Sequence, residues 1–249
     1  MKAYTVYKNK KLFIIDSKTL KPCNVNAKND SQKFALHALM APSEEIPLVI
    51  LKGPAGSAKT FLSLAAGVDQ TYDGKYGKIV ITRANVLADK DIGYLKGSLE
   101  DKMNPLLAPF YDNLEVILRC FNGGEKESNE QIQMQIEDMK ESGILEVASL
   151  AYMRGRSLNG AFIIVDEVQN MSPLQVLTLV TRAGMGTKVV LCGDLDQIDA
   201  PNLDRENNAL AYVSEKMKNS PLCAQITFNQ DECVRSPLAW EAAAKLTIR

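Results

Sequence analysis

Six short apolar runs punctuate the chain: LVIL at 48–51, KIVIT at 78–82, ILEVA at 144–148, FIIVD at 162–166, KVVLC at 188–192 and AQITF at 224–228. Helical segments separate them. Runs that are apolar throughout, instead of alternating with polar residues, fit strands buried on both faces. A sheet becomes buried on both faces when right-handed crossovers lay helices over each side, which makes its strands parallel. The sequence therefore predicts an α/β fold, a mostly parallel, doubly wound sheet with flanking helices. Ligands of such sheets sit beyond the carboxyl ends of the strands, so the polar residues that follow each run are where chemistry is to be sought.

The first run leads into Gly53-Pro54-Ala55-Gly56-Ser57-Ala58-Lys59-Thr60, and then into the helical pattern AKTFLSLAAGV, with Phe61 next after the loop. This is the strand–loop–helix context of a phosphate-binding loop. Glycines at 53 and 56 let backbone N–H groups converge on phosphate oxygens, and the helix N-terminus adds partial positive charge. Residues 53–61 are thus the expected nucleotide-binding set. Lys59 is expected to reach the β and γ phosphates and Thr60 to ligate Mg²⁺. Ala58 stands where a glycine usual for such loops would precede the lysine, and its methyl is tolerable there if the backbone is already helical.

The run FIIVD ends on Asp166-Glu167. With a phosphate loop upstream, that pair reads as Walker B, Asp166 serving the Mg²⁺ and Glu167 polarising an attacking water. Gly193-Asp194 follows KVVLC, and Gln197 places an amide at the same sheet edge, suited to sensing the γ-phosphate or orienting water. Arg235, after AQITF, could stabilise a phosphoryl-transfer transition state. Arg83, Tyr152, Arg154 and Arg156 are candidates for contacting a single-stranded nucleic acid, the arginines through its backbone and Tyr152 by stacking; solvated loop charge is the bland alternative.

Other features narrow the field. Lys and Arg total 29 against 30 Asp and Glu, so no broad basic field draws the surface onto nucleic acid, and any such binding is local. The single histidine, His37, in a helical stretch, excludes histidine metal clusters. The five cysteines are widely spaced and read as reduced in a cytoplasmic protein, Cys192 as a buried apolar residue. No apolar stretch approaches the roughly 20 residues of a membrane span. Residues 4–15 fit a short hairpin, Asn29-Asp30-Ser31 caps a first helix that Pro42 stops, and EQIQMQIEDMKES reads as a polar-faced helix on an excursion from the sheet.

Together GPAGSAKT, TRANV (82–86), IGYLKGSLEDKMNP (92–105), YMRGRSLN (152–159), IIVDEVQN (163–170), GDLDQID (193–199) and CVRSPLAW (233–240) make the chain resemble the PhoH-like ATPases, relatives of the superfamily 1 helicases. The resemblance runs from Gln32 to about Leu246. It implies a RecA-like P-loop NTPase core over 29–249, preceded by a short extension at 1–28; some members of the family carry an N-terminal nuclease domain of PIN type, which is not expected in the residues ahead of Gln32 here. It implies ATP and Mg²⁺ as cofactors, Gln32 as an adenine contact, and the roles above for Lys59, Thr60, Asp166, Glu167, Gln197 and Arg235. It further implies a homo-oligomeric ring, a hexamer, that hydrolyses ATP while acting on RNA or another single strand. Departures from the family pattern fall at Ala58, Ala84, Lys96 and Ser236. Ala58 motivates a rival reading, a nucleotide-gated scaffold with slow or no turnover. A small-molecule kinase is a third, against which the Asp166-Glu167 pair argues.

Overall fold

The computed structural model describes residues 5–8, 11–14, 20–84, 99–124, 127–148, 150, 157–233, 241 and 245. Thr5–Lys8 (β1) and Lys11–Ile14 (β2) pair antiparallel in a sheet of their own, with Lys8 opposite Lys11. All six apolar runs form strands of one parallel sheet: Leu48–Lys52 (β3), Lys78–Arg83 (β4), Leu145–Val147 (β5), Ala161–Asp166 (β6), Lys188–Gly193 (β7) and Cys223–Thr227 (β8). The order is β5-β4-β6-β7-β3-β8. This is the doubly wound, RecA-like α/β architecture that the sequence predicts.

Strand residues alternate between two cores. Val49, Leu51, Ile79, Ile81, Phe162, Ile164, Val190 and Cys192 pack against Asp30–Met40 (α1), Lys59–Tyr72 (α2), Leu99–Phe121 (α3) and Asn129–Glu141 (α4). Leu48, Ile50, Val80, Ile163, Val165, Val189 and Leu191 pack on the other face, against Pro173–Val180 (α5) and Ala209–Lys216 (α6). Both faces of each strand need apolar side chains, which is why the runs do not alternate. Cys192 is buried in the first core, and burial pushes its thiol up to about 12.

Local signals set the helix ends. The Asn29 side chain accepts from the Gln32 N–H, and Ser128 and Ser172 form capping boxes with Gln131 and Gln175. At the far end of α1, Pro42 has no N–H to offer the Ala38 carbonyl. Lys188 supplies the missing donor from the sheet, its Nζ 3.0 Å from Ala38 O, and Gln70 Nε2 donates to Leu39 O at 3.1 Å. Lys188 is fully buried, and desolvation lowers its pKa to about 8.

Strand β7 lies between β3 and β6, so the turns that follow these three strands share one stretch of sheet edge. The turn after β3 is tied to that after β7 by Gly53 N–H donating to Gly193 O at 3.2 Å. On its other side Gly53, at φ 147°, lies so close to β8 that a Cβ would stand 2.7 Å from Phe228 O. No larger residue fits there without moving backbone.

Candidate nucleotide site

The loop after β3 folds around its own lysine. Lys59 is buried, and its Nζ donates to Gly53 O at 2.6 Å, Pro54 O at 3.0 Å and Ser57 Oγ at 3.3 Å. Ser57 is fully buried and donates its own hydroxyl to Pro54 O at 2.8 Å. The loop then enters α2 through Ala58 at φ 68°, ψ 23°. The condition under which the Ala58 methyl is tolerable, a helical backbone, is not met: the residue is left-handed, the region an L side chain avoids because its Cβ crowds the following carbonyl. The glycine that such loops usually carry there is therefore a conformational matter, and the Ala58 methyl is held against a preference of about 1–2 kcal/mol.

Across the groove, Thr60 Oγ1 donates to Asp166 Oδ1 at 3.0 Å. The two oxygens expected to serve one Mg²⁺ are thus neighbours, on the first turn of α2 and the last residue of β6. Asp166 has a raised pKa, first from burial and then from the adjacent Glu167, with Arg83, Thr60 and Lys59 pulling the other way. A carboxylate in that state lacks positive charge, and a dication between hard oxygens supplies it. The donor set fits the ion.

Glu167 leaves the strand at φ 57°, ψ 37°, a second left-handed non-glycine residue. Arg83 donates through Nη2 to its Oε1 at 3.1 Å, and Gln169 Nε2 to its Oε2 at 2.6 Å. Arg83 can do so because β4 and β6 are hydrogen-bonded neighbours in which Arg83 stands opposite Asp166. The arginine considered for a nucleic-acid backbone therefore lies against the carboxylate pair instead of on an open loop. Gln197 Nε2 donates to Asp194 Oδ2 at 2.9 Å, and Asp194 is itself buried.

These parts line one cavity of about 300 Å³: Ala55, Gly56, Ala58, Lys59, Thr60 and Phe61 from the loop, with Arg83, Asp166, Glu167, Gly193, Asp194 and Gln197. Its remaining wall is Pro109, Phe110 and Asn113 of α3, which sequence reasoning missed. The segment carried no phosphate motif, and only the packing of α3 on α2 brings it there. Gln32 does not line the cavity. It is buried behind the loop, with Nε2 at 3.5 Å from Ser57 O and Oε1 accepting from Lys28 N–H at 2.8 Å. Tyr152, Arg154, Arg156 and Arg235 lie outside the described residues.

A family profile described as PhoH-like protein matches residues 24–246. The chain is 44% identical over 220 residues to Protein PhoH2 of Bacillus subtilis (strain 168), a match covering 88% of this chain and 47% of that protein. It is 38% identical over 191 residues to the PhoH-like protein of the same organism, covering 77% of this chain and 55% of that one. The chain thus spans about half the length of the curated relatives it matches. Among solved structures, the Pif1 helicase from Candida albicans aligns with a TM-score of 0.37 at 16% identity, over 82% of this chain and 40% of that chain.

Proposed function

Because the chain belongs to the PhoH-like family and has a P-loop NTPase core, we propose that it binds ATP with Mg²⁺ and hydrolyses it, coupling turnover to a single-stranded nucleic acid, RNA foremost. One observation carries the hydrolytic part: the phosphate loop and the Asp166-Glu167 pair line the same cavity, joined by the Thr60–Asp166 hydrogen bond of 3.0 Å. Residues 53–61 cradle the phosphates through backbone N–H groups, and Lys59 exchanges its loop carbonyls for β and γ phosphate oxygens. Thr60 and Asp166 would hold Mg²⁺, which when bound would supply positive charge against the phosphates. Glu167 accepts a proton from the attacking water, with Gln197 placed to orient that water or read the γ-phosphate.

The wider assignments rest on the reading of the sequence and on the family relation. They comprise a domain over 29–249 with residues 1–28 as an extension, a cytoplasmic homo-oligomeric ring with a hexamer as its favoured form, Gln32 as an adenine contact, Arg235 as a transition-state cation, and Arg83, Tyr152, Arg154 and Arg156 as nucleic-acid contacts. Arg83 pairs with Glu167 at 3.1 Å, a contact that a polynucleotide phosphate would have to displace.

The second reading, a nucleotide-gated scaffold with slow or no turnover, is favoured by the strained Ala58 and by the engagement of both Glu167 oxygens. ATP hydrolysis by wild type, Lys59→Ala and Glu167→Gln, each with and without single-stranded RNA and DNA, separates the two. Hydrolysis lost in both variants and stimulated by one polymer supports the motor. The removal of a general base costs about 10²- to 10⁴-fold. Nucleotide binding without turnover under every condition supports the scaffold.

A further inference from the structure

Gln169 is fully buried, and every polar atom of its side chain is committed to the carboxyl edge of the sheet. Its Nε2 donates to Glu167 Oε2 at 2.6 Å and to Gln197 O at 2.8 Å, and its Oε1 accepts from Asp194 N–H at 3.0 Å. The partners fix which end of the amide is which. Flipped, it would set an oxygen against the Glu167 carboxylate and an N–H against the Asp194 N–H.

We propose that Gln169 is a positioning residue that locks the Glu167 carboxylate and the Gly193–Gln197 loop into one unit, so that the base and the loop glutamine present a single geometry to the γ-phosphate. The proposal rests on the hydrolytic reading above. Three further observations support it. Glu167 sits in the left-handed region, where neither strand nor helix hydrogen bonding orients its side chain, so a tether on the carboxylate is what aims it. Gly193 is shaped around the tether: a Cβ there would stand 2.6 Å from Gln169 Oε1 and 2.8 Å from Leu210 Cδ2. Asn170, next in sequence, secures the far side of the loop, its Oδ1 accepting from Asp199 N–H at 2.8 Å and Ala200 N–H at 3.2 Å. Two adjacent side chains after β6 thus staple the whole loop after β7.

The test uses the full chain with Mg²⁺ and ATP, comparing kcat, KM and thermal midpoint for wild type, Gln169→Met, Gly193→Ala and the double variant. Methionine keeps similar volume while removing every hydrogen bond. Misplacement of a reacting group by about 1 Å can cost about a hundredfold in rate, so Gln169→Met is expected to lose kcat on that order with KM unchanged and the thermal midpoint lowered only by the several degrees that unpairing buried partners costs. Gly193→Ala, which evicts the same amide sterically, is expected to repeat that loss, and the double variant to be no worse than the poorer single. In a Glu167→Gln background, Gln169→Met is expected to cost far less than it does alone. Wild-type kcat in Gln169→Met overturns the positioning role while leaving hydrolysis standing, and so does a variant whose KM and midpoint collapse together with kcat. If Gln169→Met does not fold, Gly193→Ala decides alone, with retained kcat overturning the proposal. Wild type that binds ATP without hydrolysing it sinks the hydrolytic reading and this inference with it.

Discussion

Replacing Ala58 by glycine removes a methyl from a backbone held at φ 68°, ψ 23°. The change relieves about 1–2 kcal/mol of left-handed strain. Against this, glycine loses more conformational freedom on folding than alanine, a cost of about 0.5–1 kcal/mol. The methyl also contributes some burial, since Ala58 packs partly covered against the core over α2, but less than the roughly 0.8 kcal/mol of a fully buried group. The balance is a stabilisation of about 0.5 kcal/mol. For a chain of this size 1 kcal/mol moves the midpoint by about 2–4 °C, so Ala58→Gly is expected to raise it by roughly 1–2 °C. Ala58→Val tests the sign independently, because a β-branched residue tolerates positive φ worst. Thermal and urea unfolding of the three chains without nucleotide is the assay, with Ala55→Gly as a control at a loop position of negative φ. A midpoint that falls for Ala58→Gly, or a valine that matches wild type, refutes the strain argument.

Two other titratable groups give predictions with definite signs. Asp166 has its pKa raised by burial and by Glu167, so the folded chain takes up that proton before the unfolded chain does as pH falls. Its penalty is full above the folded pKa and relieved below it. In EDTA, Asp166→Asn is expected to be more stable than wild type at neutral pH, to lose that advantage on acidification, and to bind ATP with Mg²⁺ far more weakly; a urea-midpoint difference that is constant with pH contradicts this. Burial lowers Lys188 from 10.5 to about 8. Between those values the unfolded chain holds a proton the folded chain has shed, so stability rises with pH across the window and the penalty is constant below it. Wild type is therefore expected to gain on Lys188→Met from pH 8 to 10, by an amount on the order of 3 kcal/mol over the full window; parallel stability curves refute it.

The sheet could be read from sequence because a strand covered on both faces has no polar positions to spare, as LVIL, FIIVD and KVVLC show. The phosphate loop was legible for a related reason, its chemistry being local to nine consecutive residues. What lay hidden depends on which strands become neighbours. Arg83 meets Glu167 only because β4 pairs with β6, and Gln169 reaches the Gly193–Gln197 loop only because β7 is the next strand along. Asn113 and Phe110 join the cavity through the packing of α3 on α2. The left-handed backbone at Ala58 is also hidden, because its neighbour Lys59 opens a helix and a helical pattern gives no sign that the residue before it turns left-handed to direct the loop.

That hidden conformation bears on how the site is built. Among the described residues, non-glycine positive φ occurs at Cys23, Asn24, Ala58 and Glu167, and the last two face the same cavity. Their support differs. Ala58 is held by the loop, by its methyl's packing on the core and by the start of α2, its carbonyl accepting from Leu62 N–H at 2.9 Å. Glu167 is over-determined: its carbonyl accepts from Asn170 N–H at 2.8 Å while Arg83 and Gln169 grip both carboxylate oxygens. Strain persists where surrounding contacts enforce it, and enforcement by several independent partners is the mark of a geometry the site uses. By that criterion the proposed hydrolysis draws on the strain at Glu167 and not on that at Ala58, so relieving Ala58 with glycine should stabilise the chain without loss of turnover, whereas loosening the grip on Glu167 should cost turnover even where it leaves much of the stability intact.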